Sequence, residues 1–140
     1  MNPFNPTGGK LRKDKWGDGS FGASRGDRLH EGVDILGKPG SYVCAPQSGM
    51  VVRTGMPYAN DNGPWNCYLL IREENGVEWR LFYVVPLLGI VGTTVRKGQV
   101  VATLADVGAK YGTHAVKKRM KPHLHVEKWV NDVRVDPEIL

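Results

Sequence analysis

The 140-residue chain has two cysteines, Cys44 and Cys67, and they are far apart in sequence. That spacing excludes a close-set cysteine zinc cluster and a Cys-x-x-Cys redox motif. It leaves a single disulfide or two buried thiols. Thiols are the expectation, since both residues sit in apolar, strand-like runs where free cysteine is commonly buried. No apolar run approaches the ~18 residues of a membrane span, so membrane insertion is not expected. Residues Met1 to Gly9 lack the apolar stretch of a secretory signal. If the protein acts outside the cytoplasm, delivery by another route is expected, or removal of a signal. Repeats and low-complexity tracts are also missing.

Turn formers are abundant. Eighteen glycines and nine prolines suit a β domain of short strands better than a helical one. The length fits one domain, and 41% apolar content is enough for one core. The net charge is +5, a balance that favours acidic partners such as nucleic acid, anionic lipid or an anionic polymer, or simply a soluble basic surface.

Residues 1–20 are polar and rich in glycine and proline, with a basic cluster at Lys10, Arg12, Lys13 and Lys15. They read as an arm, extended over the domain or flexible at its tip, leaving 21–140 as the domain proper. Strands are predicted at Ser41–Ala45, Met50–Thr54, Cys67–Arg72, Trp79–Val85 and Val100–Leu104. Asn75-Gly76 marks a hairpin whose two turn residues both want positive φ. Lys97-Gly98 marks a second tight turn. Tyr111–Met120 is the one helix candidate, short and stopped by Pro122. His123–Trp129 alternates as a strand. Tyr58–Pro64 is a polar loop suited to flank a groove. Trp16, Trp65, Trp79 and Trp129 serve equally well as groove or core residues.

Three of the four histidines lie in two short segments, His30-Glu31-Gly32-Val33-Asp34 and His123-Leu124-His125-Val126-Glu127. A catalytic zinc takes three nitrogen or oxygen ligands and keeps a fourth position for water. His30, Asp34 and His125 are able to supply the three, with His123 beside the metal and free to hydrogen-bond a reacting group. A water on such a metal is a nucleophile at neutral pH, which points to a hydrolase or a descendant of one. On a strand, His123, His125 and Glu127 share one face, and Leu124, Val126 and Lys128 the other. His30 and Asp34 are four apart, but Gly32, Val33 and Ile35 disfavour a helix, so a loop running into a strand is expected. His114 belongs to the short helix, close enough in sequence to His123 to reach the same cleft.

These residues resemble the lysostaphin-type, or LytM-like, zinc metallopeptidases, which are peptidoglycan endopeptidases. Phe21-Gly22-Ala23-Ser24-Arg25-Gly26 is similar to the family's approach to its first metal motif. His30 to Ile35 fits the His-x-Gly-[Ile/Val]-Asp pattern. Gly40 to Pro46 and Gly49 to Val51 fit the strand pair that follows. Val95–Gln99 fits a Val-x-x-Gly-Gln turn, His123-Leu124-His125 the His-Leu-His signature, and Val135-Asp136-Pro137 the ending. The likeness covers roughly residues 20–140. It implies a mostly β, compact antiparallel sheet domain with a groove, duplicated-hybrid-motif-like, carrying one short helix. It implies Zn2+ held by His30, Asp34 and His125, with His123 orienting the water or stabilising the oxyanion. The implied substrates are cross-links or stem peptides of bacterial peptidoglycan, often at or near glycine or D-alanine.

One departure stands out. The family's active members carry a second non-ligand histidine in a Tyr-x-His-Leu segment, where this chain reads Tyr83-Val84-Val85-Pro86. Valine neither accepts a proton nor donates to an oxyanion, and acid–base help is worth about 10²–10⁴-fold in rate. The segment resembles the leukocyte cell-derived chemotaxins, which carry Tyr-x-x-Pro here and are not established peptidases. Tyr83 or His114 is then the candidate for the missing role.

The reading is a zinc endopeptidase acting on the bacterial wall, at an extracellular or periplasmic site. A phage lysis enzyme or virion component, with virion or tail proteins as partners, is one route there. The alternative is a zinc-stabilised binding module without turnover. The Val-x-Ala-Pro and Lys-Gly-Gln pieces also resemble biotinyl or lipoyl carrier domains, but no Met-Lys-Met segment accompanies them. No specific nucleic-acid partner is expected.

Overall fold

A computed structural model describes residues 2–14, 17–110 and 120–139. Fourteen short strands make up these segments, and every strand pairing is antiparallel. In chain order they are β1 (Lys13–Asp14), β2 (Gly17–Asp18), β3 (Ser24–Arg25), β4 (Arg28–Leu29), β5 (Val33–Leu36), β6 (Tyr42–Cys44) and β7 (Gly49–Gly55). There follow β8 (Tyr68–Arg72), β9 (Glu78–Phe82), β10 (Val84–Pro86), β11 (Thr94–Val95), β12 (Val100–Leu104), β13 (His123–Val130) and β14 (Val133–Val135). The main sheet runs β11-β7-β8-β9-β13. The far edge of β13 is shared by β5, against His123–Val126, and β14, against Lys128–Val130. A smaller sheet, β10-β12-β6, covers the core.

Alternation along β13 explains the division of labour. Leu124 and Val126 are fully buried among Val33, Leu69, Leu81, Val84 and Val101, while His123, His125 and Glu127 face away from that core. Apolar burial on one face therefore fixes the register that presents the polar face as a constellation, because a one-residue slip would exchange the two.

The expected strands are all present, with one division. The run Trp79–Val85 is two strands, broken at Tyr83, whose φ of 76° turns the chain out of the main sheet and into the smaller one. The Asn75-Gly76 hairpin joins β8 to β9, but its turn differs from the expected one. Glu73 N–H donates to Val77 O and Gly76 N–H to Glu73 O, and only Gly76 takes positive φ. Asn75 keeps negative φ and instead accepts the Val77 N–H on its side chain. The Lys97-Gly98 turn is as expected, with Gly98 left-handed.

Both cysteines are free and partly buried, and burial pushes both thiols up from their ordinary pKa. The helix expected at Tyr111–Met120 lies, save Met120, outside the described residues, and so does His114. Among the described residues the one helical element is a 3₁₀ turn at Val107–Ala109.

Residues 4–12 lie against the domain. Phe4 N–H reaches Pro46 O, Cys44 N–H reaches Pro6 O, and Leu36 N–H reaches Lys10 O. Leu11 bridges to Ile35. Arg12, one of the basic cluster, is buried at 2% exposure.

Candidate metal centre

Strand register brings the two sequence motifs together. His125 on β13 sits directly opposite Asp34 on β5. His30 arrives from the loop after β4, where its N–H donates to Ala23 O and its carbonyl accepts from Gly22. Gly32 allows this approach, since a Cβ there would lie 2.6 Å from both His125 Cε1 and Val126 O.

Three donor atoms converge. His30 Nε2 and His125 Nδ1 are 3.1 Å apart. Asp34 Oδ1 lies 2.8 Å from His125 Nδ1 and 3.3 Å from His30 Nε2. Metal–ligand distances of ~2.0–2.1 Å in a tetrahedron separate ligand atoms by ~3.3 Å, so the trio needs little expansion to hold an ion. The far nitrogens also fit. His30 Nδ1–H donates to Ser20 O at 3.0 Å and His125 Nε2–H to Glu127 Oε2 at 3.0 Å. Metal-ligating imidazoles are oriented in this way, with the second nitrogen tied to a carbonyl or carboxylate. His30, Asp34 and His125 are thus a group able to hold a metal ion.

Around them is a supporting layer that the sequence revealed only in part. Arg12 donates from Nε and Nη2 to Asp34 Oδ2 at 3.3 and 3.1 Å, leaving Oδ1 to face the imidazoles. Its Nη1 donates to Asp14 at 2.8 Å. Arg25 Nη2 lies 3.6 Å from Asp34 Oδ2. Glu127 also accepts from Trp129 Nε1 at 3.0 Å. Glu127 was legible in the alternation of β13. Arg12 was not, because nothing in a polar arm distinguishes one buried guanidinium from three neighbouring cations.

Electrostatics follow from this packing. Burial by itself would raise the Asp34 carboxyl, but hydrogen bonds from His125 and His30 outweigh it and hold the group well below the usual carboxylate range. Burial disfavours charge on His125, yet the hydrogen bonds to Asp34 and Glu127 prevail and push it up to about 9. His123 goes the other way, because burial lowers it more than Asp34 raises it. Its Nδ1–H donates to Lys121 O at 2.8 Å, so in the neutral ring Nε2 carries the lone pair. That atom lies 3.8 Å from Asp34 Oδ2.

A cavity of about 340 Å³ opens over these groups. Tyr83 lines it, its ring edge-on to His123 at 5.5 Å between centroids. Its hydroxyl is 3.0 Å from that of Tyr58, which also lines the cavity. Asn66 pins Tyr58 at both backbone atoms, accepting from its N–H and donating to its carbonyl, each at 2.8 Å. The polar loop does flank the groove, and Tyr58 is the residue it contributes. Val85 lies outside the described cavity lining. It is 47% exposed and paired with Thr103 in the smaller sheet. Trp79 is core, while the guanidiniums of Arg80 and Arg134 lie over the Trp129 ring at 4.3 and 4.6 Å.

The chain is similar to known proteins. Leukocyte cell-derived chemotaxin-2 from Mus musculus is 32% identical over 114 residues, spanning 81% of this chain and 69% of its own. A peptidoglycan DD-endopeptidase, ShyC, from Vibrio cholerae is 27% identical over 110 residues, 79% of this chain and 22% of its own. The antimicrobial peptidase lysostaphin from Staphylococcus simulans superposes with a TM-score of 0.65 at 23% identity, over 95% of this chain and 51% of that one, a likeness of fold. The chain thus spans about half of lysostaphin and under a quarter of the Vibrio protein. The model of Peptidase family M23 matches residues 28–137, and with both histidine motifs and the whole main sheet from β5 onward inside that match, the chain belongs to this peptidase family.

Proposed function

We propose that the protein is a zinc-dependent endopeptidase that hydrolyses cross-links or stem peptides of bacterial peptidoglycan. The observation that carries this reading is the meeting of His30 Nε2, Asp34 Oδ1 and His125 Nδ1 within 3.3 Å of one another, under a cavity that also holds His123. Zinc at these three atoms would supply a Lewis acid for the scissile carbonyl and a water of lowered pKa.

The other steps belong to the chain. His123 Nε2, with its lone pair toward the cavity, accepts a proton from the attacking water and returns it to the leaving amine. Arg12 keeps Asp34 ionised and aimed, and Glu127 does the same for His125. Tyr83, or His114, which lies outside the described residues, donates to the oxyanion in place of the absent histidine. The site of action is the wall, outside the cytoplasm. Delivery by a phage, as a lysis enzyme or virion component, is compatible with a small basic domain.

A second reading is a zinc-stabilised binding module. Val85 favours it, as does the likeness to the chemotaxin, since zinc can hold a fold together without turnover.

The deciding experiment is release of new amino groups from purified peptidoglycan by zinc-loaded protein, with His123→Ala alongside. Release by the parent protein and not by the variant is expected. No release, with about one zinc still bound per chain, would leave the binding module.

A further inference from the structure

Arg25 and Arg28 occupy directly opposed positions in the β3–β4 hairpin, joined by Gly26-Asp27. Like charges facing each other across two antiparallel strands destabilise the pair, so this placement needs a compensating partner. Arg25 is fixed in place and already compensated, donating from Nη2 to Asp18 O at 2.7 Å and from Nη1 to Ser24 O at 3.1 Å, with Asp34 Oδ2 3.6 Å from Nη2. Arg28 is exposed and makes no hydrogen bond or ion pair among the described residues. Asp27, at the turn, pairs with neither. Both arginines line the cavity over the candidate metal centre.

The charge balance of that cavity is one-sided. Its lining holds three guanidiniums, of Arg12, Arg25 and Arg28, and two carboxylates. Both carboxylates are engaged, Asp34 by Arg12, Arg25 and the imidazoles and Glu127 by His125 and Trp129, which leaves Arg28 as the guanidinium of this lining with no carboxylate partner among the described residues. A bound divalent cation adds further positive charge. An uncharged oligoglycine would leave this field unused, whereas a peptide with a free carboxylate beside the bond over the metal would meet it. A guanidinium fork matches a carboxylate in shape as well as charge.

From this we infer that Arg25 and Arg28 form a carboxylate subsite beside the metal centre, which makes acidic stem peptides the substrate class rather than uncharged glycine bridges. The inference rests on the peptidase reading for its cleavage arm and is independent of it for its binding arm. Arg25 holds the subsite rigid and Arg28 closes on the ligand.

The test uses zinc-loaded protein and two synthetic stem peptides. One bears a free side-branch carboxylate and the other carries the same group as an amide. Binding is followed by calorimetry and cleavage by product release. The parent protein is expected to bind the acidic peptide about tenfold or more tightly, the usual worth of a charge-assisted hydrogen bond. Arg28→Gln should bring the ratio toward unity, and Arg28→Glu should invert it, while all three proteins retain their zinc. Discrimination that collapses in Arg28→Gln without cleavage of either peptide upholds the subsite and removes the peptidase. Equal binding and cleavage of both peptides by the parent overturns the subsite and keeps the peptidase. Failure to bind either peptide overturns the subsite and leaves the peptidase to the peptidoglycan assay.

Discussion

His125 Nε2–H donates to Glu127 Oε2 at 3.0 Å, and the two residues lie two apart on one face of β13. The bond fixes which nitrogen is left over. Nδ1 must face Asp34 and His30, and the ring cannot turn without breaking a buried charge-assisted contact. Partners of this kind support metal affinity by about 10–100-fold. Glu127→Ala is therefore expected to weaken zinc binding by that factor. Glu127→Gln should fall between, since its carbonyl still accepts from Nε2. Competition against a chromogenic chelator checks both, and equal affinity in all three proteins would remove Glu127 from the metal's support.

The same contact sets a pH dependence. Without metal, burial works against charge on His125, but Asp34 and Glu127 raise it to about 9. At neutral pH the ring thus carries both protons, and zinc must displace the one on Nδ1. Metal binding should release about one proton near neutrality, and affinity should climb by about tenfold per pH unit up to about 9 and then level off. Calorimetry in two buffers of different ionisation enthalpy counts the proton. The raised value also adds stability to the metal-free fold. That contribution is complete below the free-histidine value of about 6.5 and is lost as pH rises through about 9. Asp34, held low, contributes in the opposite sense, present above about 3.9 and lost as pH falls. Chelator-treated protein should accordingly unfold more readily at about pH 9.5 than at about pH 7.

What could be read in the sequence was what depends on local pattern. Period-two alternation in His123–Trp129 marked both the buried face and the polar one, and turn residues located the hairpins. The two metal motifs are short and self-contained, so their ligands were visible before any fold was known. The roles of Arg12 and Tyr58 were not, because they arise from contacts far along the chain. Arg12 meets Asp34 across 22 residues, and Tyr58 meets Tyr83 across 25. The break at Tyr83 was hidden for a related reason. A run rich in apolar residues with no Gly, Pro or Asn to break it reads as one strand, whereas the chain leaves one sheet for another through a left-handed tyrosine, a conformation bulky side chains rarely take. Asn75 kept negative φ because the hairpin closes between Glu73 and Val77 with Gly76 alone in the left-handed region.

Arg12 ties the N-terminal segment to the centre through two buried carboxylates, Asp34 and Asp14. Removing one partner of a buried ion pair costs about 3–5 kcal/mol, because the other charge stays behind. Arg12→Met should destabilise the metal-free protein by that amount, with a smaller loss in the presence of zinc, whose charge compensates Asp34. Denaturant unfolding with and without chelator measures the two values. Equal destabilisation under both conditions would mean that Arg12 acts through Asp14 and packing rather than through Asp34.

Tyr83 combines an outlying backbone, with φ of 76°, and a hydroxyl 3.0 Å from Tyr58 over the site. Strain of this kind costs about 1–3 kcal/mol and persists where the surrounding structure holds it, often at functional sites. Here the turn into the smaller sheet points the ring at His123. Loss of one oxyanion donor lowers kcat by about 10²–10³-fold, and Tyr83→Phe should show a loss of that order with KM, zinc content and Tm little changed. Tyr58→Phe should lower kcat less, since it removes the partner that orients the hydroxyl and not the donor itself. His114→Ala is the necessary companion. A large loss there with none in Tyr83→Phe would move the donor role to the imidazole. If both single variants and the double variant turned over peptidoglycan at the parent rate, neither group could be the donor, and the next variant to test would be His123→Ala, at a residue that lines the same cavity.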